Sequence, residues 1–308
     1  MKGRTPTKNG AVTGLQSSAA TRRPERVPTA EELPPLLERS PLGIFDEAIT
    51  FLRIRPAVMF TVAFIVLLPL RLVAGLLPGS SLRDARPDQL IDILVGNLGA
   101  PGAVAAAFAT LAAESVALFS VGAIYGKLLA SWYSNRAPLA SDVLVWSVKR
   151  SPVLLLTWGL THAGLLLFGS LTGGIGGVVL AIFFLVVAPV FGAEDAGIRT
   201  AIRRSTSLVS PRFFACLTFF VLVGAGGQIM RLVLRLLPTI LGIELLPVPS
   251  WIVGGVFDLA ATTVMIAFTA SASTILYLDL RIRQEGIDLD MAMARTFPGA
   301  RVRQREDG

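Results

Sequence analysis

One histidine, one cysteine and four lysines are all that this 308-residue chain spends on its most versatile ligating and titrating side chains. A lone cysteine excludes an intrachain disulfide, and Cys216 lies inside an apolar run, where a thiol behaves as a small inert hydrophobe. A lone histidine, His162, excludes an H-E-x-x-H motif or any His-based metal cluster built within the chain. Charged residues are also scarce, 16% against about a quarter in soluble domains. No G-x-S-x-G elbow is present. Gly122 to Lys127 (GAIYGK) lacks the hydroxyl and full spacing of a phosphate loop and sits in apolar sequence.

What the chain has is long apolar runs. Mean hydropathy is +0.66 and 53% of residues are hydrophobic. Six stretches approach the roughly 20 residues needed to cross a ~30 Å hydrocarbon core. They run from about Ala57 to Leu77, Ala103 to Ala130, Val153 to Leu171, Ile175 to Phe191, Phe213 to Met230 (with a continuation to Leu237) and Ile252 to Tyr277. The third and fourth are joined by the turn Gly173-Gly174-Ile175-Gly176-Gly177, short enough only for a tight hairpin. Residues 1–40 are rich in Arg, Thr, Pro, Ser and Glu without apolar periodicity, and read as a disordered tail. They hold no h-region, so the first crossing is expected to act as the insertion signal. The domain reading is therefore a tail over 1–40, a six-helix transmembrane domain over 41–280 and a C-terminal tail over 281–308.

The net charge of +7 admits nucleic acid as a partner, but the cations lie in tails and short loops beside apolar runs, which suits lipid head groups instead. Of the 28 Lys and Arg residues, only Arg71, Arg83, Arg86, Arg231 and Arg235 fall on the outer side. The other 23 lie in the tails, the even-numbered loops or at inner helix ends. The positive-inside rule then places both termini in the cytoplasm. The excess of arginine, 24 against 4 lysines, fits a high-GC bacterial genome and hence a bacterial cytoplasmic membrane.

A weak repeat precedes crossings one, three and five: an amphipathic segment, basic residues, then proline. The versions are IFDEAITFLRIRPAVMF (44–60), SDVLVWSVKRSPVLLL (141–156) and GIRTAIRRSTSLVSPRFF (197–214). Pro56, Pro152 and Pro211 suit a first helical turn. In the third version Ile198, Ala201, Ile202, Ser205, Leu208 and Val209 share a face, with Arg199, Arg203 and Arg204 turned elsewhere. The fold expected is an all-α integral membrane protein of six transmembrane helices in three hairpins, each hairpin preceded by an interfacial amphipathic helix. A further short amphipathic helix is expected after Pro87, from Leu90, Ile91, Leu94 and Leu98.

Ionisable groups within crossings cost roughly 2.5–3.5 kcal/mol each on insertion scales and are functional candidates by default. Arg71, Glu114, His162 and Asp258 qualify. At ~1.5 Å per residue, Arg71 lies about 20 Å above the inner end of its helix, Asp258 about 10 Å below the outer end of the sixth, and Glu114 in the middle to outer half. One cation and two carboxylates at a common depth form a charge cluster, with Arg231 capping it from outside. Two readings stand side by side: an outward-facing polar site for a substrate, ion or proton, or ion pairs that fix helix register. Arg231 and Arg235, four apart on one face, are expected to snorkel to the outer head groups or to contact lipid phosphate. Gly224, Gly226, Gly227, Gly254 and Gly255 are expected at close helix approaches. At the exit of the sixth crossing Tyr277 suits an interfacial belt and Arg281 and Arg283 suit inner head groups, with a polar helix continuing from Glu285 to Met293.

The segments PLGIFDEAITFLRIRPAVMF, AIRRSTSLVSPRFF and LYLDLRIRQEGIDLD resemble the membrane proteins grouped as "glycerophosphoryl diester phosphodiesterase membrane domain", similar in layout to YciC-like bacterial inner-membrane proteins. The resemblance covers about residues 41–292 and implies a topology. It implies no activity, because enzymes of that name use a separate soluble barrel with paired histidines and metal-binding carboxylates, for which this chain has neither the histidines nor the room.

The expectations are thus a non-enzymatic scaffold or accessory subunit with membrane lipids and a membrane or cytoplasmic protein as partners, no nucleic acid, no cofactor and no metal. The alternative is a transporter or lipid-handling protein with an outward-facing charged site. A third class, an intramembrane enzyme, would need two cooperating acid–base groups at one spot, which a Glu114–His162 contact within hydrogen-bond reach would supply.

Overall fold

A computed structural model describes residues 28, 32–34, 37–76, 101–136, 138–243 and 250–286. Among them the chain is all helix, with no strand. It forms six segments long and apolar enough to cross a membrane, the pattern of a multi-pass membrane protein. The outer-loop residues Arg83 and Arg86, the amphipathic helix expected over 90–98 and the polar helix expected beyond 286 lie outside the described residues.

The helices are α1 (Pro41–Ile54), α2 (Pro56–Gly75), α3 (Pro101–Tyr133), α4 (Ala140–Leu171), α5 (Ile175–Phe183), α6 (Val187–Ala193), α7 (Ile198–Val209), α8 (Phe213–Ile240) and α9 (Ser250–Glu285). Helices α3 and α9 form the centre. α9 packs on α1, α2, α3 and α8, and α3 packs on α2, α4 and α6. Tyr125 of α3 is wholly buried and donates its phenol to the Met59 carbonyl of α2 at 2.8 Å. Phe51 wedges edge-on between Tyr125 and Trp132.

Two of the three proline signals act as expected. Ser40 caps α1 by accepting the Gly43 N–H at 3.1 Å, α1 ends at Arg55, and Pro56 opens α2. Pro211 lies in the 3-10 turn Ser210–Arg212 between α7 and α8. Pro152 does not open a helix. α4 runs unbroken through it, so the second amphipathic segment is the first turns of a 32-residue helix and not a separate interfacial element. The carbonyl that the proline leaves free is not left unpaired. Pro152 cannot donate to the Val148 carbonyl, and the Ser151 hydroxyl donates to that carbonyl instead, at 2.8 Å.

The fourth crossing is the reverse case, one apolar run that forms two helices. Helix α5 stops at Phe183, a turn covers residues 184–186, and α6 resumes at Val187 with Pro189 in its first turn. Helix α6 is buried from Val187 to Gly192. It meets α3 backbone to backbone: a Cβ on Gly192 would stand 1.7 Å from the Ala123 carbonyl oxygen, and one on Gly126 2.5 Å from the Pro189 oxygen. The Phe183 carbonyl at the break accepts the Ser205 hydroxyl from α7 at 2.7 Å. The glycines expected to mediate close approach behave differently. Gly224, Gly254 and Gly255 face open space, and only Gly226, against Phe45, and Gly227, against Met265 and Thr269, lie in contacts. The turn between α4 and α5 does need glycine, since Gly173 and Gly174 have φ of 62° and 95°.

The last residues before α1 are docked, in contrast to the free tail read from their composition. Leu33 is buried, Tyr133 donates to the Pro34 carbonyl, and the Arg39 N–H donates to Asp279 Oδ1 at 2.7 Å. These contacts bring the start of α1 and the end of α9 to the same end of the bundle.

Candidate functional site: two ionic layers

At the end of the bundle away from α1, five charged side chains from four helices converge. Arg71 comes from α2, Glu114 from α3, Arg231 and Arg235 from α8, and Asp258 from α9. Arg231 grips Glu114 with two parallel bonds, Nη1 to Oε2 at 2.9 Å and Nη2 to Oε1 at 2.7 Å, and its Nη2 also reaches Asp258 Oδ1 at 3.4 Å. Arg71 bridges the two acids, with Nη1 3.2 Å from Glu114 Oε1 and Nη2 on Asp258 Oδ2. Arg235 binds Asp258 Oδ1 through both Nε and Nη2. The side chains are 10–23% exposed.

The fork of a guanidinium matches the two oxygens of a carboxylate, which is why arginine serves here where lysine would not. Each of the four carboxylate oxygens accepts from an arginine. Three guanidinium groups against two carboxylates leave the layer with a formal charge of +1 among the described residues. The Nε of Arg231 is buried without a hydrogen-bond partner.

The residues singled out as a cluster from depth, Arg71, Glu114 and Asp258, are therefore in contact. Arg231 and Arg235 belong to the interior of that cluster, which corrects the expectation that they snorkel outward. The acids of α3 and α9 offer them fixed partners, and pairing offsets the burial that snorkelling would avoid.

His162 stands apart. Its Nδ1 lies 2.9 Å from the Trp158 carbonyl one turn back in α4, an oxygen that can only accept, and its ring stacks at 4.8 Å on Trp158. Trp158 in turn donates its indole N–H to Ser115 Oγ at 3.0 Å. Both oxygens of Glu114 belong to arginines, and no hydrogen bond joins Glu114 to His162 among the described residues. The Glu114–His162 contact is therefore not made.

A second ionic layer lies at the end where α9 finishes. Glu194 Oε1, just past α6, accepts from Arg204 Nε at 3.2 Å and from the Tyr277 hydroxyl at 2.9 Å. Arg281 donates to Tyr277 Oη at 3.0 Å and to Glu285 at 2.8 Å, and Arg204 also pairs with Glu285. Arg283 binds Asp279 at 2.9 Å, Glu38, and the Arg39 carbonyl at 2.7 Å. Lys127 pairs with Asp195 and sits 5.6 Å over the Trp146 ring, whose N–H donates to Asp195 at 3.2 Å. Arg281 and Arg283 are thus held by acids instead of reaching head groups. The sequence held part of the signal: Tyr277, Arg281 and Glu285 recur every four residues, as do Asp279 and Arg283, a spacing that stacks partners on one helix face. Their partner Glu194 carried none. Among the described residues no group of three or more His, Cys, Asp or Glu side chains is arranged to hold a metal.

No protein-family model matches this chain, and no curated protein or solved structure is similar enough to it to serve as a relative.

Proposed function

We propose that the chain is a multi-pass protein of a bacterial cytoplasmic membrane, three helical hairpins with both termini in the cytoplasm, that acts as a non-enzymatic scaffold or accessory subunit for a membrane or cytoplasmic protein. One observation carries the reading: every carboxylate oxygen in the distal layer is taken by arginine. A proton carrier or cation site needs a carboxylate free to exchange its partner, and this layer has none. Ion pairs joining α2, α3, α8 and α9 fix helix register instead. The topological resemblance to YciC-like proteins fits the same reading and adds no activity to it.

The formal +1 of the layer and the orphan Nε of Arg231 favour one other reading, a lipid-handling or transport protein that binds an anion there. Purification in native-lipid nanodiscs separates the two. Wild type and Glu114→Gln are compared at equal folded amounts for what they retain. The scaffold reading expects a stoichiometric protein partner held by both. A small molecule or lipid bound by wild type and lost from the variant, with no protein partner in either, would replace it with the transport reading.

A further inference from the structure

Helix α7 carries one polar stripe that the ionic layers do not use. Arg199, Arg203, Thr206, Ser207 and Ser210 follow one another at steps of four, three, one and three residues, so they share a face. Four of them, Arg203 to Ser210, line an open cleft of about 400 Å³ together with Phe183, the last residue of α5 before the break. The opposite face, Ala201, Ser205, Leu208 and Val209, is buried against the bundle. The stripe is therefore the surface that α7 presents outward.

Its charges are uncompensated. Arg204 is ion-paired to Glu194 and Glu285, yet Arg199 and Arg203 form no ion pair among the described residues. The nearby acids are already committed, Glu194 to Arg204 and Tyr277, and Asp195 to Lys127 and Trp146. Two like charges at i and i+4 repel, and an anion between them reverses that cost. Thr206 and Ser207 spend their protons on the Arg203 and Arg204 carbonyls, at 2.8 and 2.9 Å. Their oxygens remain free to accept from hydroxyl groups of a ligand.

The one aromatic lining the cleft, Phe183, leads into a row of rings beside it. Phe183 lies tilted against Phe213 at 5.4 Å, Phe213 meets Phe214 edge to face at 5.6 Å, and Phe214 is 79% exposed. A cationic rim with hydroxyl acceptors, beside a row of aromatic rings that ends in the exposed Phe214, matches a phosphodiester head group joined to acyl chains.

We infer that this cleft is a binding site for an anionic phospholipid with a hydroxylated head group, its phosphate held by Arg199 and Arg203 and its chains laid along Phe183, Phe213 and Phe214. The inference deepens the scaffold reading above and takes from it the placement of α7 at the cytoplasmic leaflet.

The test uses the full chain in nanodiscs of equal phosphatidylglycerol and phosphatidylcholine, with retained lipid counted by native mass spectrometry. Wild type is expected to hold phosphatidylglycerol over phosphatidylcholine, and Arg199→Gln/Arg203→Gln to lower that retention about tenfold. Lys149→Gln/Arg150→Gln, which removes the same charge from the first turns of α4, is expected to leave it unchanged. Equal loss in both pairs, or no loss in the first, overturns the site. Thr200→Cys, at an exposed α7 position outside the cleft, reports orientation independently through an impermeant maleimide applied to intact cells. Labelling from the outer side with lipid retention intact would refute the placement and keep the site.

Discussion

Charge balance in the distal layer predicts an unequal response to removing its members. Wild type holds three guanidinium groups and two carboxylates. Glu114→Gln raises the formal charge from +1 to +2 and strips Arg231 of its bidentate partner, at side chains only 10–13% exposed. Leaving a buried charge unpaired costs about 3 kcal/mol here, the low end for such sites because the layer retains Asp258. Asp258→Asn produces the same +2 and takes from Arg235 its one acid in the layer and from Arg71 and Arg231 a second one, for about 4 kcal/mol. Arg231→Gln instead brings the layer to zero, and Arg71 still bridges both acids, so its loss costs only about 1–2 kcal/mol. The double variant Glu114→Gln/Arg231→Gln restores +1 and should cost about 3 kcal/mol, less than the two single costs combined. The assay is SDS titration in mixed micelles followed by fluorescence of the four tryptophans. If Arg231→Gln proves as costly as Glu114→Gln, charge balance does not govern the layer and the register argument fails.

Two further outcomes follow from packing and from the second layer. Gly192→Ala drives a methyl into the Ala123 carbonyl and should destabilise by about 3 kcal/mol or more, while Gly254→Ala, in open space within α9, should be neutral or stabilise by up to about 1 kcal/mol, both read in the same titration. Tyr277→Phe removes the bond to Glu194 and the acceptor for Arg281, and should cost about 1–2 kcal/mol, with Arg204→Gln adding little once Tyr277 is gone if the network acts as one unit.

The sequence revealed what depends on composition and period. A backbone in hydrocarbon must satisfy its own hydrogen bonds, so six apolar runs read directly as six helical segments long enough to cross. The fixed rise of a helix placed Arg71, Glu114 and Asp258 together before any contact was known. What stayed hidden depends on single atoms in other elements. Helix α4 runs through Pro152, and the Val148 carbonyl that the proline leaves without a donor is taken by the Ser151 hydroxyl. The break between α5 and α6 lies in the run IFFLVVAPVF, which has no punctuation before Pro189, and it is held by Ser205 from another helix. Arg231 and Arg235 could turn outward or inward with equal local ease, and only the position of Glu114 and Asp258 chose. Glycines in α8 and α9 looked like packing surfaces, yet the closest approach fell to Gly126 and Gly192, because α6 is short enough to lie wholly inside.

Helix α9 links the two layers and sets their separation. It supplies Asp258 to one and Tyr277, Asp279, Arg281, Arg283 and Glu285 to the other. Nineteen residues separate Asp258 from Tyr277, about 28 Å at 1.5 Å per residue, which is close to the ~30 Å depth of a hydrocarbon core. Between them α9 carries no ionisable side chain, only apolar residues and hydroxyls such as Thr263 and Thr274 that donate back to their own helix at 2.8 Å. The arginines and acids therefore stand at the two ends of this apolar stretch of α9 and not within it, the arrangement favoured because an ion is most expensive at a bilayer centre. Charges that tie four helices at one end and dock α1, α6 and α7 at the other give α9 a fixed register between them.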